Sequence, residues 1–125
     1  MKTKLFHFFS GIFSLMFLFS GLNKLFQFVP IPPDLPVEMA KDNTAFMEIA
    51  WLMPLIAIAE ILGAILILIP RFRALGALVV FPLMVGILIN HATVAPDGLM
   101  MVLVLWAILL WMMWENADKY LGLIK

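Results

Sequence analysis

The stretch WLMPLIAIAEILGAILILI, residues 51–69, decides the fold of this chain. Glu60 is its one charged residue, and its length is about what an α-helix needs to cross the hydrocarbon core of a bilayer. Pro54 lies in the first turn, where a missing N–H costs little, and Pro70 ends the run. The stretch therefore predicts a transmembrane helix that carries one ionisable group near its middle.

Three further apolar runs repeat this pattern, at residues 5–28, 75–90 and 98–114. The first follows Lys2 and Lys4, as the apolar region of a signal peptide would, but bulky residues flank the small pair Ser20 and Gly21. Because cleavage sites need small residues, we expect this run to be retained as a helix. The chain is thus predicted to be an all-α membrane protein that spans the bilayer four times.

The composition excludes several classes of function. Apolar residues make up 65% of the 125 residues and charged residues 13%, and the mean hydropathy is +1.10, far above that of a soluble domain. With a formal net charge of zero and no long basic run, nothing favours a nucleic-acid partner. The chain has no cysteine, so thiol redox chemistry and thiolate metal sites are excluded, and a redox role would need a cofactor from outside.

The connections between the runs set the expected topology. Prolines interrupt the loop at residues 29–43, and residues 37–49 predict either a short amphipathic helix on the membrane surface or a plain solvated loop. Lysine and arginine are concentrated before the first run, between the second and third, and after the fourth. Because cytoplasmic segments carry this excess, both termini are predicted to be cytoplasmic. Short connections favour an up-down four-helix bundle, formed by residues 1–125 as a single domain.

Glu60 is the first candidate functional residue, because an ionisable group within a membrane span is costly and needs a partner. Ala57, Gly63 and Ala64 share its stripe at helical spacing, which predicts that Glu60 faces another helix at close approach. Lys24 lies about one turn inside the outer end of the first run and is the expected partner. The pair would either bind a ligand or only hold the two helices together.

Further polar residues are predicted near the outer end, the end that faces away from the cytoplasm. Asn23 adjoins Lys24, and Asn90 and His91 close the third run. Together they predict a ligand-binding or proton-handling pocket that opens between the helices. His91 could equally be an interfacial or capping residue, and Asp97 could be the N-cap of the fourth helix. No residue is assigned a catalytic role, and no metal site is expected.

The residues in the inner half of the bundle are predicted to serve only the packing of helices against one another. Its small residues include Ser10, Ser14, Gly76 and Ala77, which allow close helix contact. His7 is interpreted as an interfacial residue. The ten methionines are interpreted as gap fillers in apolar packing rather than as ligands.

The order of these features resembles the DoxX and DoxX-like family of small membrane proteins. The pieces that carry the resemblance are Ser20-Gly21-Leu22-Asn23-Lys24-Leu25, Pro32-Pro33-Asp34-Leu35-Pro36, Ala59-Glu60-Ile61-Leu62-Gly63, Pro70-Arg71-Phe72-Arg73, Phe81-Pro82, Asn90-His91 and Pro96-Asp97-Gly98. Each is short, but together they cover about 100 residues in order. The resemblance implies four transmembrane helices in a bacterial inner membrane.

The same resemblance implies a link to redox systems. Some relatives are similar to the small membrane subunit of a thiosulfate:quinone oxidoreductase, and others to membrane partners of redox or detoxifying enzymes. We therefore expect an accessory membrane subunit rather than a stand-alone enzyme, with a quinone or similar amphiphile as its candidate ligand. The alternative is a non-catalytic scaffold or anchor that recruits a protein partner or a second copy of the chain. A small transporter ranks below both, because no inverted repeat is evident.

Overall fold

A computed structural model describes residues 2–26, 37–94 and 96–124, and within these ranges the chain is helical with short turns. Two single turns of 3₁₀-helix, Pro70–Phe72 and Pro96–Gly98, precede the fourth and fifth helices. The α-helices of the described residues are α1 (Lys2–Phe26), α2 (Val37–Glu48), α3 (Leu52–Leu68), α4 (Arg73–Thr93), α5 (Leu99–Glu115) and α6 (Ala117–Leu121).

The predicted helical runs are confirmed, with shifts at their ends. The second and fourth runs match α3 and α5 to within one residue at each end, and α4 extends the third run to Arg73 and Thr93. The extension to Arg73 arises because the Pro70–Phe72 turn passes directly into α4, with Arg73 already in helical geometry. α2 confirms the helical alternative for residues 37–49. The proline-rich residues 29–36 lie outside the described residues.

Three helical segments of the described residues are long and apolar enough to cross a membrane: Thr3–Phe26, Pro70–Thr93 and Pro96–Glu115. α3 meets the same criterion only when it is joined to α2, and the two helices are bent by 94° at their junction. The fold therefore has three candidate spans, or four if the bent pair counts as one. No more than a third of each of the three segments is buried, so their large apolar side chains mostly face outward.

α3 shows how the sequence divides a helix into two faces. Leu55, Ile58, Leu62 and Ile65 follow one another at helical spacing and are all exposed. The opposite face is buried against α1 and α4. Its buried residues are Ala57, Glu60, Gly63, Ala64 and Ile67. Lipid tails are as apolar as leucine, so burying apolar surface does not by itself bring helices together in a membrane. Small residues favour helix association instead, because they let the backbones approach closely.

The hydrophobic core draws residues from α1, α3, α4 and α5, which contact one another in the order α1, α3, α4, α5 and back to α1. Its largest fully buried apolar side chains are Phe13, Ile67, Met84, Leu109 and Met112. We call the end of this helical core that holds Lys4, Arg71 and Lys119 the basic end. The opposite end, with Phe26, Leu52 and Thr93, is the distal end.

Two helix contacts are close enough to restrict side-chain size. A Cβ atom on Gly21 of α1 would lie 2.8 Å from the carbonyl oxygen of Ala57 in α3. A Cβ atom on Gly76 of α4 would lie 2.8 Å from the carbonyl oxygen of Gly63. The hydroxyl of buried Ser14 donates to the carbonyl of Ala64, which adds a polar contact between α1 and α3. α3 is thus held between two neighbours at backbone distance, with Glu60 between these contacts.

Candidate functional site

Glu60 is buried in the face of α3 that packs against α1, with an exposure of only 3%. Its position follows from the small residues around it, because Ala57 and Gly63 lie on the same face and draw the neighbouring helices close. The Cβ atom of Glu60 lies 3.3 Å from the position that a Cβ on Gly21 would occupy. The carboxyl group therefore starts beside the close α1–α3 contact at Gly21.

The predicted contact between Lys24 and Glu60 is present. The Lys24 ammonium Nζ lies 2.8 Å from Glu60 Oε1 and also donates to Ser20 Oγ at 2.8 Å. Gly21 faces Ala57 and Ser14 faces Ala64, so α1 and α3 run in opposite directions. Helical side chains lean towards the N-terminus of their own helix, so Lys24 leans towards the basic end and Glu60 towards the distal end. The two side chains therefore lean towards each other, and the ammonium and the carboxylate meet at a level between the two Cα atoms.

The second carboxyl oxygen of Glu60 sets the site apart from a simple ion pair. Oε2 is buried and has no hydrogen-bond partner among the described residues. Leaving a buried polar atom unpaired costs free energy, more so for a charged group, and such atoms are rare in folded proteins. The Lys24 side chain is 24% exposed and the Glu60 side chain 4%, so Lys24 is the accessible side of the pair. The site offers one unused acceptor beside a fixed cation.

His91 is not brought to this pair. Its Nδ1 lies 2.9 Å from the carbonyl oxygen of Ile87, and because a carbonyl can only accept, Nδ1 donates this hydrogen bond. The ring packs against Gly98, where an added Cβ would lie 2.7 Å from His91 Cδ2. Since Gly63 and Ile67 of α3 lie beside Gly76 of α4, His91 is roughly 15 Å from the level of Glu60 along the helix axis.

The other predicted polar residues lie around the distal end. Asn23 and Asn90 are half-buried, and the backbone carbonyl of Asn90 accepts the N–H of Val94 at 2.8 Å. Asp97 is exposed within the Pro96–Gly98 turn. The prediction that Asp97 could cap the fourth helix was wrong, because Gly98 occupies the N-cap of α5 and no side chain caps it. That Asn23, Asn90 and His91 line a common ligand-binding or proton-handling pocket stays a prediction.

A second buried charge, which was not predicted from the sequence, lies at the basic end. Arg73 is 4% exposed, and its Nε donates to the Ile67 carbonyl oxygen at 2.8 Å. Its Nη1 lies 3.0 Å from His7 Nδ1, and its guanidinium lies 5.2 Å from the ring centre of Phe6. A guanidinium only donates, so His7 Nδ1 accepts. The signal available was the placement of His7 and Arg73 at the same predicted membrane boundary.

The chain matches the DoxX-like family over residues 8–113. It is also 31% identical over 121 residues to the uncharacterized protein YwoB of Bacillus subtilis (strain 168), an alignment that covers 87% of this chain and 75% of that protein. The chain belongs to the DoxX-like family. No solved structure matches it. Family membership confirms the resemblance, and together with the apolar helices it indicates an integral membrane protein in contact with lipid.

Two of the pieces that resemble the DoxX-like family supply the two halves of the ion pair. Residues 20–25 contribute Lys24 with its acceptor Ser20, and residues 59–63 contribute Glu60. The described residues of this DoxX-like chain contain no cluster of three His, Asp or Glu side chains that could ligate a metal ion. One surface cavity lies along α2 and another at the basic end, and neither of these is lined by Lys24 or Glu60.

Proposed function

We propose that this protein spans a bacterial inner membrane four times, as an up-down four-helix bundle of residues 1–125 with both termini in the cytoplasm. The antiparallel packing of α3 between α1 and α4 supports a fourth crossing, since its neighbours are long enough to cross. With 17 residues, α3 is about 25 Å long, slightly less than the hydrocarbon core. The 94° bend supports a surface position for α2 rather than a continuation of the span. The distribution of lysine and arginine supports the orientation.

We further propose that the protein is an accessory membrane subunit, or a partner, of a redox system and binds a quinone or similar small amphiphile beside Glu60. The observation that carries this proposal is the buried Oε2 of Glu60, which has no hydrogen-bond partner among the described residues. A ligand that donates a hydrogen bond to Oε2 would remove the cost of leaving that oxygen unpaired. Such a ligand can approach from the Lys24 side, which is the accessible side of the pair.

The two redox forms of a quinone suit this site differently. An ionised carboxylate only accepts hydrogen bonds, whereas a quinone presents carbonyl acceptors and a quinol presents hydroxyl donors. The Lys24 ammonium can donate to a quinone carbonyl, and Glu60 Oε2 can accept from a quinol hydroxyl. The pair therefore offers one partner to each form. His91 and Asn90 would be reached only by a ligand that extends from Glu60 towards the distal end.

The test is the lipid extract of the purified protein. Wild type should retain a quinone detectable by liquid chromatography and mass spectrometry, and Glu60→Gln should lower that retention about tenfold, because the amide NH₂ group cannot replace the acceptor and Lys24 loses its counter-ion. Glu38→Gln, on the exposed first turn of α2, is the matched control and should retain quinone like wild type. Quinone-free extracts from well-folded wild type would contradict the proposal.

A second candidate function is a scaffold in which the ion pair only joins α1 to α3. The close approach of Gly21 to Ala57, one turn from Lys24, favours this candidate, since the pair then completes a helix contact. No residue of α2 is buried, so that helix is available to a protein partner or to a second copy of the chain. Here Glu60→Gln should lower thermal stability, whereas polar substitutions along α2 should abolish partner recovery at unchanged stability.

A further inference from the structure

A groove at the basic end lies on the surface between the start of α4 and the C-terminal helix α6. It has a volume of about 200 Å³. Its walls come from the Pro70–Phe72 turn, the first turns of α4, and α6 with the residues after it. It lies at the opposite end of the core from Lys24, so it is separate from the site proposed above.

Two hydrogen bonds hold α6 over the start of α4 and so build the groove. The Tyr120 hydroxyl donates to the carbonyl oxygen of Ala74 at 2.8 Å. Lys119 Nζ lies 3.4 Å from the carbonyl oxygen of Arg71. Both contacts join residues more than 40 positions apart, so the groove exists only in the folded chain.

The groove is lined by both cationic and apolar side chains. Arg71 and Lys119 contribute two exposed cationic side chains to its lining, and no acidic residue is among the described residues that line it. Asp118 precedes Lys119 but lies outside the lining. The apolar lining residues include Phe72, Leu75 and Leu78, all of them exposed. Leu75 and Leu78 lie about one and two helical turns beyond Arg71 along the chain. A ligand that fits this surface carries a negative charge at one end and an apolar chain at the other.

We propose that this groove binds an anionic phospholipid. The phosphate lies between the Arg71 guanidinium and the Lys119 ammonium, and the start of an acyl chain lies along Phe72, Leu75 and Leu78. Basic residues at a membrane boundary attract anionic lipid, and guanidinium groups bind phosphate through paired hydrogen bonds. The adjacent apolar wall is what favours a phospholipid over free phosphate, because free phosphate would leave that wall unused.

The experiment is native mass spectrometry of the full chain in detergent with equal amounts of phosphatidylglycerol and phosphatidylcholine. Wild type should bind phosphatidylglycerol in clear preference. Arg71→Gln and Lys119→Gln should each lower the ratio of bound phosphatidylglycerol to phosphatidylcholine by about fivefold, the effect of one basic residue at an anionic surface. Lys4→Gln removes one charge from the same end outside the groove and should leave the ratio unchanged.

Two further measurements separate the groove from general charge attraction. Tyr120→Phe removes one of the two hydrogen bonds that hold α6 without changing charge, and it should lower the same ratio. Millimolar inorganic phosphate should not displace the bound lipid. Equal binding of the two lipids by wild type, an equal loss in Lys4→Gln, or displacement by inorganic phosphate would overturn the proposal.

Discussion

The two ends of the helical core bury a charge in different ways. In the distal half, Glu60 is buried beside a cation, but one of its oxygens has no partner among the described residues. At the basic end, Arg73 is buried beside a backbone carbonyl, an imidazole nitrogen and an aromatic ring, and no carboxylate is paired with it among the described residues. Glu60 therefore depends on one distant residue of opposite charge, whereas Arg73 depends on several neutral groups.

This difference indicates which buried charge is available for ligand binding. The Arg73 guanidinium has neutral groups fixed around it, which is typical of a structural role. The Glu60 carboxylate has an unused acceptor and an accessible partner, which is typical of a site that is completed by a ligand. The difference also predicts that substitutions at the two sites lower the free energy of unfolding by different amounts.

The largest effect is expected for Lys24→Met, which leaves the buried Glu60 carboxylate without a counter-ion. Removing one partner of a buried ion pair costs about 3–5 kcal/mol of unfolding free energy, as measured by denaturant titration in detergent. The double variant Lys24→Met with Glu60→Leu should recover most of this loss, because two apolar residues replace the pair. If the double variant is less stable than Lys24→Met, the two residues are not coupled as the structure indicates.

A smaller loss, about 2 kcal/mol, is expected for Gly21→Ala. The added methyl group would overlap the Ala57 carbonyl oxygen and the Ile61 side chain and would push α1 away from α3. The matched control is Gly11→Ala in the same helix, where the methyl group meets nothing within 4 Å. This control should be neutral or stabilising by up to about 1 kcal/mol, since alanine favours helix. Equal melting temperatures for the two variants would contradict the close contact.

Arg73→Lys should cost about 1.5 kcal/mol. A lysine keeps the charge but cannot hold the Ile67 carbonyl and His7 with the spacing of a guanidinium. Arg71→Lys is the control, because Arg71 is exposed and its replacement should change unfolding free energy by less than about 0.5 kcal/mol. A loss as large as that of Lys24→Met would show that Arg73 also relies on a single partner.

The smallest effect is expected for Tyr120→Phe, about 1 kcal/mol, through loss of the hydrogen bond to Ala74. Burial raises the pKa of the Tyr120 phenol above its usual value near 10. Folding therefore favours the protonated phenol, whose contribution to stability is complete below pH 10 and is lost as the pH rises through the folded-state pKa. Melting temperatures of wild type and Tyr120→Phe should thus converge at alkaline pH; a constant difference would contradict this assignment.

The amino-acid sequence alone determined the helices, the burial of Glu60 and its partner. Apolar runs of membrane length specify helices because backbone groups in lipid must bond within their own segment. The small residues at helical spacing from Glu60 predicted the face of α3 that packs, and only Lys24 lay in the neighbouring run at a suitable depth. These inferences needed periodicity and the cost of a lone charge, both of which are local properties of the chain.

Only the tertiary structure decided how the remaining polar groups are arranged. Arg73 and His7 are 66 positions apart, and their contact depends on how α1 and the start of α4 lie against each other. The separation of His91 from Glu60 and the unpaired Oε2 likewise follow from helix register. Register is set by close backbone approaches such as that of Gly21 to Ala57, where a difference of one residue would turn a different face towards the neighbouring helix.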